Sequence, residues 1–335
     1  MMDGETWRRN FRLFQRLLLQ KSHGRSLHIT TRPTSRLIAR LTHRGCEHGC
    51  VYCFARPSHA YLGFSPGLDF ETQIVSKPDA PKVLRKELQK NGYRCEVLAL
   101  GSNTDPYQPI EKKLKITRQI LEILLEHRHP VGIVTKSQLI LRDVDLLTTF
   151  AQKNLVHVFI SVTTLNSELA QRMEPRASSP ERRLETIRKL HDAGVPVGAL
   201  ASPMIPAIND MELEKILEQA QKAGAQSAGY ILVRLPLELK ELFTQWLDTH
   251  YPTKTKHVLN LIRDTREGAL YKSEFGKRMR GSGTYADLLR QRFQKAVVRY
   301  GLNKPLPPLD LSQFRTGAKP TSQLSLSLLI TDAKE

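Results

Sequence analysis

From residue 95 onward, short apolar runs alternate with stretches whose apolar residues recur at helical spacing. The runs Val97 to Leu100, Val131 to Thr135, Val156 to Val162, Val195 to Ala201 and Ala228 to Val233 are short and apolar, which predicts strands. Between them, Lys112 to Glu126 places Leu114, Ile120, Leu121, Leu124 and Leu125 at helical spacing. Further helices are predicted at Asp143 to Lys153, Ser167 to Ala193 with a break near Pro175 and Pro180, Met211 to Ala223 and Leu237 to Thr249. Gly194 and Gly224 stand where helix C-caps belong. With a first strand at Arg36 to Leu41, the pattern gives six strand-helix units. Near-continuous apolar strands separated by helices mean a parallel sheet covered on both faces. Six units suit either a doubly wound sheet or an incomplete barrel, and periodicity does not choose between them. In both, ligands gather at the C-terminal ends of the strands.

Charge divides the rest of the chain. The first forty residues hold nine Arg or Lys against Asp3 and Glu5, a pattern that reads as a solvated basic arm or, alternatively, as a transit peptide. A second basic concentration at 254–300 predicts helices around the turn Arg280-Gly281-Ser282-Gly283, and Pro305, Pro307, Pro308 and Pro320 mark a wrapping or loose tail. The expected organisation is a basic arm (1–35), an α/β body (36–250), a basic helical extension (251–304) and a Pro-containing tail (305–335). No apolar run approaches the roughly eighteen residues needed to cross a bilayer.

The 335 residues are 40% hydrophobic and 25% charged, ordinary globular usage that argues against a disordered or collagen-like chain. Lys+Arg 51 against Asp+Glu 33 gives a formal net charge of +18, which attracts polyanions such as nucleic acid. Aromatics are only 7%, so stacking platforms for single strands are not prominent.

Four cysteines, Cys46, Cys50, Cys53 and Cys95, exclude a disulfide scaffold, and three of them are spaced C-x3-C-x2-C. Three thiolates on one short loop reach three irons of a cubane cluster, leaving the fourth iron without a protein ligand. An open position of that kind is what a small molecule with an amine and a carboxylate can chelate. Zinc held by the three thiols with His59 or Cys95 is the weaker reading, because structural zinc prefers paired Cys-x2-Cys units. An electron-carrier ferredoxin is weaker still, since Cys95 is distant and no Cys-Pro follows the triplet.

The cysteine spacing directly after a first strand resembles the radical S-adenosylmethionine superfamily. The segments His48-Gly49-Cys50-Val51-Tyr52-Cys53-Phe54-Ala55-Arg56-Pro57, Tyr61 to Phe70 and Gly101 to Glu111 are similar to its spore photoproduct lyase-related branch. Thr135-Lys136-Ser137, Met173-Glu174-Pro175-Arg176 and Arg234-Leu235-Pro236 continue the match. The resemblance implies an incomplete (β/α)6 barrel with a helical C-terminal extension. It also implies a 4Fe-4S cluster on Cys46, Cys50 and Cys53, whose open iron binds S-adenosylmethionine. One electron then splits the sulfonium bond to give a 5′-deoxyadenosyl radical that removes a substrate hydrogen. By the same resemblance Tyr52 lies beside the adenine, Ser102, Asn103 and Thr104 contact the amino group, Lys136 holds the carboxylate and Ser161 meets the ribose. The branch's namesake enzymes carry a cysteine in the loop after strand two; here that loop reads Ser102-Asn103-Thr104, so the thymine-dimer reaction itself is not implied. Upstream, Leu41-Thr42-His43 replaces the Asn-Pro-Tyr that related chains show.

Several further residues have two readings. Asp105 and Glu111 would orient substrate or, more simply, start a turn; Arg176 and Arg234 would grip an anion or pair with a buried carboxylate. His43, His48 and His59 read as hydrogen-bonding neighbours of the cluster, and Cys95 as a small buried hydrophobe. The leading expectation is an enzyme abstracting hydrogen from a substrate that the sequence does not identify, nucleic acid being the candidate its positive charge favours, served by a reductant such as flavodoxin or ferredoxin in a reducing cytoplasm. The alternative is a nucleic-acid-binding protein with a structural zinc or redox-sensing iron-sulfur site.

Overall fold

The computed structural model describes residues 42–274 and 277–317. The basic arm, the first strand expected at 36–41 and the end of the tail lie outside the described residues. The described chain opens with strand β1 (His43–Arg44), the cysteine loop and a 3₁₀ turn (Arg56–Leu62). Helix α1 (Asp69–Thr72) and strand β2 (Val75–Ser76) follow, β2 pairing antiparallel with β1, and α2 (Ala80–Leu88) leads into the body.

The body then runs β3 (Leu98–Leu100), α3 (Glu111–Leu114), α4 (Ile116–Glu126), β4 (Val131–Thr135), α5 (Val144–Ala151) and β5 (Val156–Ser161). It continues with α6 (Ser167–Met173), α7 (Pro180–Asp192), β6 (Val197–Met204), α8 (Leu213–Lys222), β7 (Ser227–Leu232) and α9 (Leu239–His250). The extension contributes α10 (Thr255–Asp264) and α11 (Thr284–Arg299).

Strand order settles what periodicity left open. The sheet is five-stranded and parallel in the order β3-β4-β5-β6-β7, each strand beside its predecessor. A doubly wound sheet reverses order at a switch point, whereas this one does not; it is a partial barrel. Five of the six expected strands are therefore present among the described residues. The segment directly before the cysteines, β1, joins the antiparallel ribbon with β2 and not this sheet.

The predicted helix at Lys112 to Glu126 is two helices. Lys115 adopts φ 53°, and the buried Glu111 carboxylate accepts the N–H groups of Ile116 (3.1 Å) and Thr117 (2.9 Å), which starts a second helix there. A carboxylate on those N-terminal N–H groups also complements the helix dipole. The break near Pro175 and Pro180 is present, with Ser179 capping α7 and Pro180 in its first turn. Gly194 and Gly224 terminate α7 and α8 at φ 75° and 95°, a conformation glycine adopts without Cβ cost.

Side chains alternate across each strand, so registry fixes which residues share a face. Val134 pairs with Phe159 and Phe159 with Gly198, which places Val134 and Lys136, Phe159 and Ser161, and Leu200 and Ser202 on one face. Gly198 leaves the room Phe159 needs: a Cβ there would meet the ring at 2.4 Å. The tail reaches the same face, with Leu306 packed on Phe159 and Leu200. It continues past the N-terminal ends of the strands, where Asp310 N–H donates to Asn154 O (2.9 Å) and Arg315 N–H to His127 O (3.0 Å). The described part of the tail is thus a wrapping extension. At the other edge of the sheet, Leu232 N–H donates to Met279 O (2.9 Å), so the extension covers β7. Among the described residues no helix is long and apolar enough to cross a membrane.

Candidate active site

The C-terminal ends of the strands surround an open cavity with about 750 Å³ of atom-free space. Cys46, Cys50 and Cys53 enter it from the loop, and Asn103, Thr104, Lys136 and Ser161 from the ends of β3, β4 and β5. Tyr52 completes this group between two of the thiols. Of the residues expected at the cofactor, Ser102 is half-buried and is not among the lining side chains. The others are brought together.

The loop is held from three directions. Gln108 donates from Nε2 to Gly45 O (3.2 Å) and accepts the Glu47 N–H at Oε1 (2.9 Å). Thr104 Oγ1 donates to His43 O (2.9 Å), so this hydroxyl serves the backbone as well as facing the cavity. Arg56 Nε donates to Cys50 O (2.9 Å), and its guanidinium pairs with Glu71. Arg176 clamps the outside, donating to Glu47 O and pairing with Glu71; it does not line the cavity. Gly49 lies beneath that clamp at φ 70°, a left-handed conformation that glycine adopts without Cβ cost. On its inner side the loop packs with Leu169, Met173, Val233, Phe243 and Trp246, which makes Cys50 and Tyr52 part of a hydrophobic core.

Asp105 is the hub of the cavity wall. Its carboxylate accepts from Thr135 Oγ1 (2.7 Å), Tyr107 N–H (2.9 Å) and Lys136 N–H (2.8 Å), and faces His48 Nδ1 at 3.5 Å. The bond to Tyr107 is the two-residue turn that an Asp before Pro forms. Gly101, at φ 85°, permits the chain to pass Val134 O, which a Cβ would approach to 1.9 Å. Burial pushes His48 down to about 4, against the opposing pull of Asp105. It is therefore neutral at pH 7.

Burial also pushes the Cys46 and Cys50 thiols well above their ordinary range, with the neighbouring thiols adding to the shift; Lys136 acts in the opposite direction on Cys50. Buried thiols of this kind become thiolates when a metal supplies the compensating charge. Three such donors at one cavity fit an iron-sulfur cluster with an open corner. For zinc, among the described residues no group of three or more His, Cys, Asp or Glu is arranged to hold a single metal ion, and His48, which lines the cavity, faces Asp105. His59 is buried between Phe64 and Phe70 and bonded to Gln73 O (3.0 Å), while Cys95 precedes β3 at the opposite end of the sheet; neither lines the cavity.

Glu111 is likewise structural, spent on the start of α4, on Arg142 (3.2 Å) and on His43 (3.3 Å). Lys136 is different. It has no ion-pair partner among the described residues, and its ammonium lies 5.8 Å from the centre of the Tyr52 ring.

Ser202, Pro203 and Arg234 also line the cavity. Ser202 extends the face that carries Ser161, a relation visible only once β5 and β6 are in register. Arg183 was not singled out in the sequence. It is buried, pairs with Glu174 and donates to Ser161 O (3.1 Å), so it braces the end of β5. Burial raises the Glu174 carboxyl, with Arg183 opposing the shift.

The sequence pattern of the Radical SAM superfamily matches residues 41–220. An uncharacterised protein of Mycobacterium tuberculosis is 35% identical over 271 residues, spanning 79% of this chain and 76% of that protein. The Radical SAM Nalpha-GlyT isomerase of Pseudomonas phage M6 is 23% identical over 237 residues, 67% of this chain and 45% of the isomerase. Among solved structures, spore photoproduct lyase complexed with dinucleoside spore photoproduct superposes with a TM-score of 0.56 at 15% identity, covering 89% of this chain and 92% of the lyase. A mutant of the same lyase with bound AdoMet and the dinucleoside gives 0.53 at 16% identity, over 87% and 90%. These two establish a shared fold. The chain belongs to the radical SAM superfamily and is a radical SAM enzyme, with the 4Fe-4S cluster and S-adenosylmethionine that this family uses.

Proposed function

We propose that Cys46, Cys50 and Cys53 hold the cluster, and that Tyr52, Asn103, Thr104, Lys136 and Ser161 form the pocket for S-adenosylmethionine. The substrate is a nucleic acid, from which the enzyme abstracts hydrogen. When bound, cluster and cofactor together supply a 5′-deoxyadenosyl radical for that abstraction. The chain's own part is positioning. Lys136 offers a positive charge to the cofactor's carboxylate, Tyr52 an aromatic face to its adenine and Ser161 a hydroxyl to its ribose. Asn103 and Thr104 supply polar groups for the amino end. The core packing around Cys50 and Tyr52 shields the loop from water.

The observation that carries this reading is the convergence of three thiols and the strand-end side chains on one cavity. The nucleic-acid part is supported by the net charge of +18 and by the dinucleoside in the lyase structures of the same fold. The electron comes from an external reductant of the flavodoxin or ferredoxin type, in a reducing cytoplasm. Reconstituting the cluster without oxygen and adding dithionite and S-adenosylmethionine should release 5′-deoxyadenosine, read by chromatography. Cluster-loaded protein that releases none refutes the enzymatic reading and leaves the binding alternative.

A further inference from the structure

Two arginines reach the C-terminal ends of the strands in opposite circumstances. Arg183 is buried against Glu174 and the carbonyls of Ser161 and Ser178. Arg234, just beyond β7, lines the cavity and lies over the Phe54 ring, 3.9 Å from its centre, with no carboxylate partner among the described residues. From the packed extension Arg266 and Arg278 act on it with like charge, whereas Tyr271 and, from the cysteine loop, Cys53 act in the opposite direction.

Nor can those neighbours easily turn away. Arg266 is almost fully buried and donates to Val233 O (3.1 Å) and Lys277 O (2.9 Å). The carboxylates of this segment are engaged elsewhere: Glu267 pairs with Lys272 and Lys277, and Glu274 with Lys277 at 3.2 Å. Burial lowers Arg234 to about 10, so it remains protonated at neutral pH. A cation in a low-dielectric wall beside two other guanidinium groups, with no carboxylate partner among the described residues, gains from an anion that joins it. Phe54 lies against the guanidinium, whose N–H groups form a planar fork of the kind that recognises phosphate.

We propose that Arg234, backed by Arg266 and Arg278, is a phosphodiester-binding subsite on the β7 side of the cavity. It would grip the backbone of a nucleic-acid strand next to the reacting position. Its role in catalysis rests on the radical reading above; its capacity to bind does not. The competing occupant is the carboxylate of S-adenosylmethionine, and the experiment separates the two.

The test uses the full-length chain with its cluster reconstituted anaerobically, each variant checked for loading by its visible absorption. A labelled short single-stranded oligonucleotide is titrated by fluorescence anisotropy across a salt series, and S-adenosylmethionine by equilibrium dialysis. Arg234→Gln should weaken oligonucleotide binding about tenfold and make the salt slope shallower by about one, with a smaller loss for S-adenosylmethionine. Arg234→Lys keeps the charge without the fork and should fall between; it carries the test if the glutamine variant fails to load. Lys82→Gln removes the same charge from the exposed surface of α2, where Lys82 is 82% exposed, and should change binding less than about twofold. Inorganic phosphate should compete with the oligonucleotide on the wild type and less so on Arg234→Gln.

Equal losses in Lys82→Gln and Arg234→Gln would show that binding reports net charge alone and overturn the proposal. So would unchanged oligonucleotide affinity in Arg234→Gln, or a larger loss for S-adenosylmethionine than for the oligonucleotide. Wild type that releases no 5′-deoxyadenosine yet keeps Arg234-dependent binding refutes the radical reading and supports the subsite.

Discussion

At the N-terminal ends of the strands, most polar groups meet partners within the chain, the buried His127 Nε2 being an exception. Tyr93 Oη and His129 Nε2 are 2.9 Å apart, His129 Nδ1 meets Pro130 O at 3.0 Å, and the tail brings Arg315 O to His127 Nδ1 (2.8 Å) and the Phe314 ring to His129. At the C-terminal ends, Lys136 and Arg234 face the cavity without a described carboxylate, and the Cys46 and Cys50 thiols are buried where a bare thiolate is costly. One end is closed by its own side chains and contributes stability. The other keeps charge and donors unmet in the free chain, which is what a ligand site requires.

The sharpest way to break this contrast is to exchange the cysteines' fates. Alanine at Cys46, Cys50 or Cys53 should reduce 5′-deoxyadenosine release to background and abolish cluster absorption, since each thiolate is one of only three at the site. Cys95→Ala, at the closed end, should leave release within about twofold. Loss of cluster loading in Cys95→Ala would break the open-corner arrangement.

The Arg183–Glu174 pair is one of the charge pairs satisfied within the chain at the functional end. Glu174→Ala leaves a buried guanidinium uncompensated and should cost about 3–5 kcal/mol, read by chemical denaturation. A cost below about 1 kcal/mol would mean that Arg183 finds water there, as a ligand-facing arginine does.

At the closed end, burial lowers His129 to about 4, with its bond to Pro130 O opposing and His127 adding to the shift. Between pH 6.5 and 4 the unfolded chain binds a proton at His129 that the folded chain refuses, so stability falls as pH drops through that window. The contribution is at most roughly 3 kcal/mol. His129→Gln should flatten that part of the stability profile; an unaltered profile would show that His129 protonates in place.

The smallest effect is expected at Lys136. Lys136→Met preserves much of the stem against Tyr52 but removes the charge, and should weaken S-adenosylmethionine binding about tenfold, or about 1.4 kcal/mol. Unchanged affinity would move the carboxylate contact to another residue.

The sequence was most legible where physics is local. The strands at 131–135 and 156–161, the helix caps at Gly194 and Gly224, and the thiol spacing all follow from neighbours a few residues apart. It was least legible where one residue serves a distant one. Asp105 and Glu111 carry equal chemical promise as a sequence, yet one lines the cavity and the other is consumed by α4, Arg142 and His43. Ser202 joined the site only through its register with β5, and Arg183 showed no signal because its partner is set by packing.

The order of residues by itself determined the cysteine triplet, the alternation of strands with helices and the excess of positive charge. Periodicity and spacing are properties of contiguous chain, so they survive without a fold. Only the tertiary structure decided that the strands stack in sequential order as a partial barrel, that His59 and Cys95 do not line the cavity with the thiols, and that Arg183 has a carboxylate partner while Arg234 has none among the described residues. Those outcomes depend on hydrogen-bond register and on which charges burial brings within a few ångströms, and neither quantity is written in any local stretch of residues.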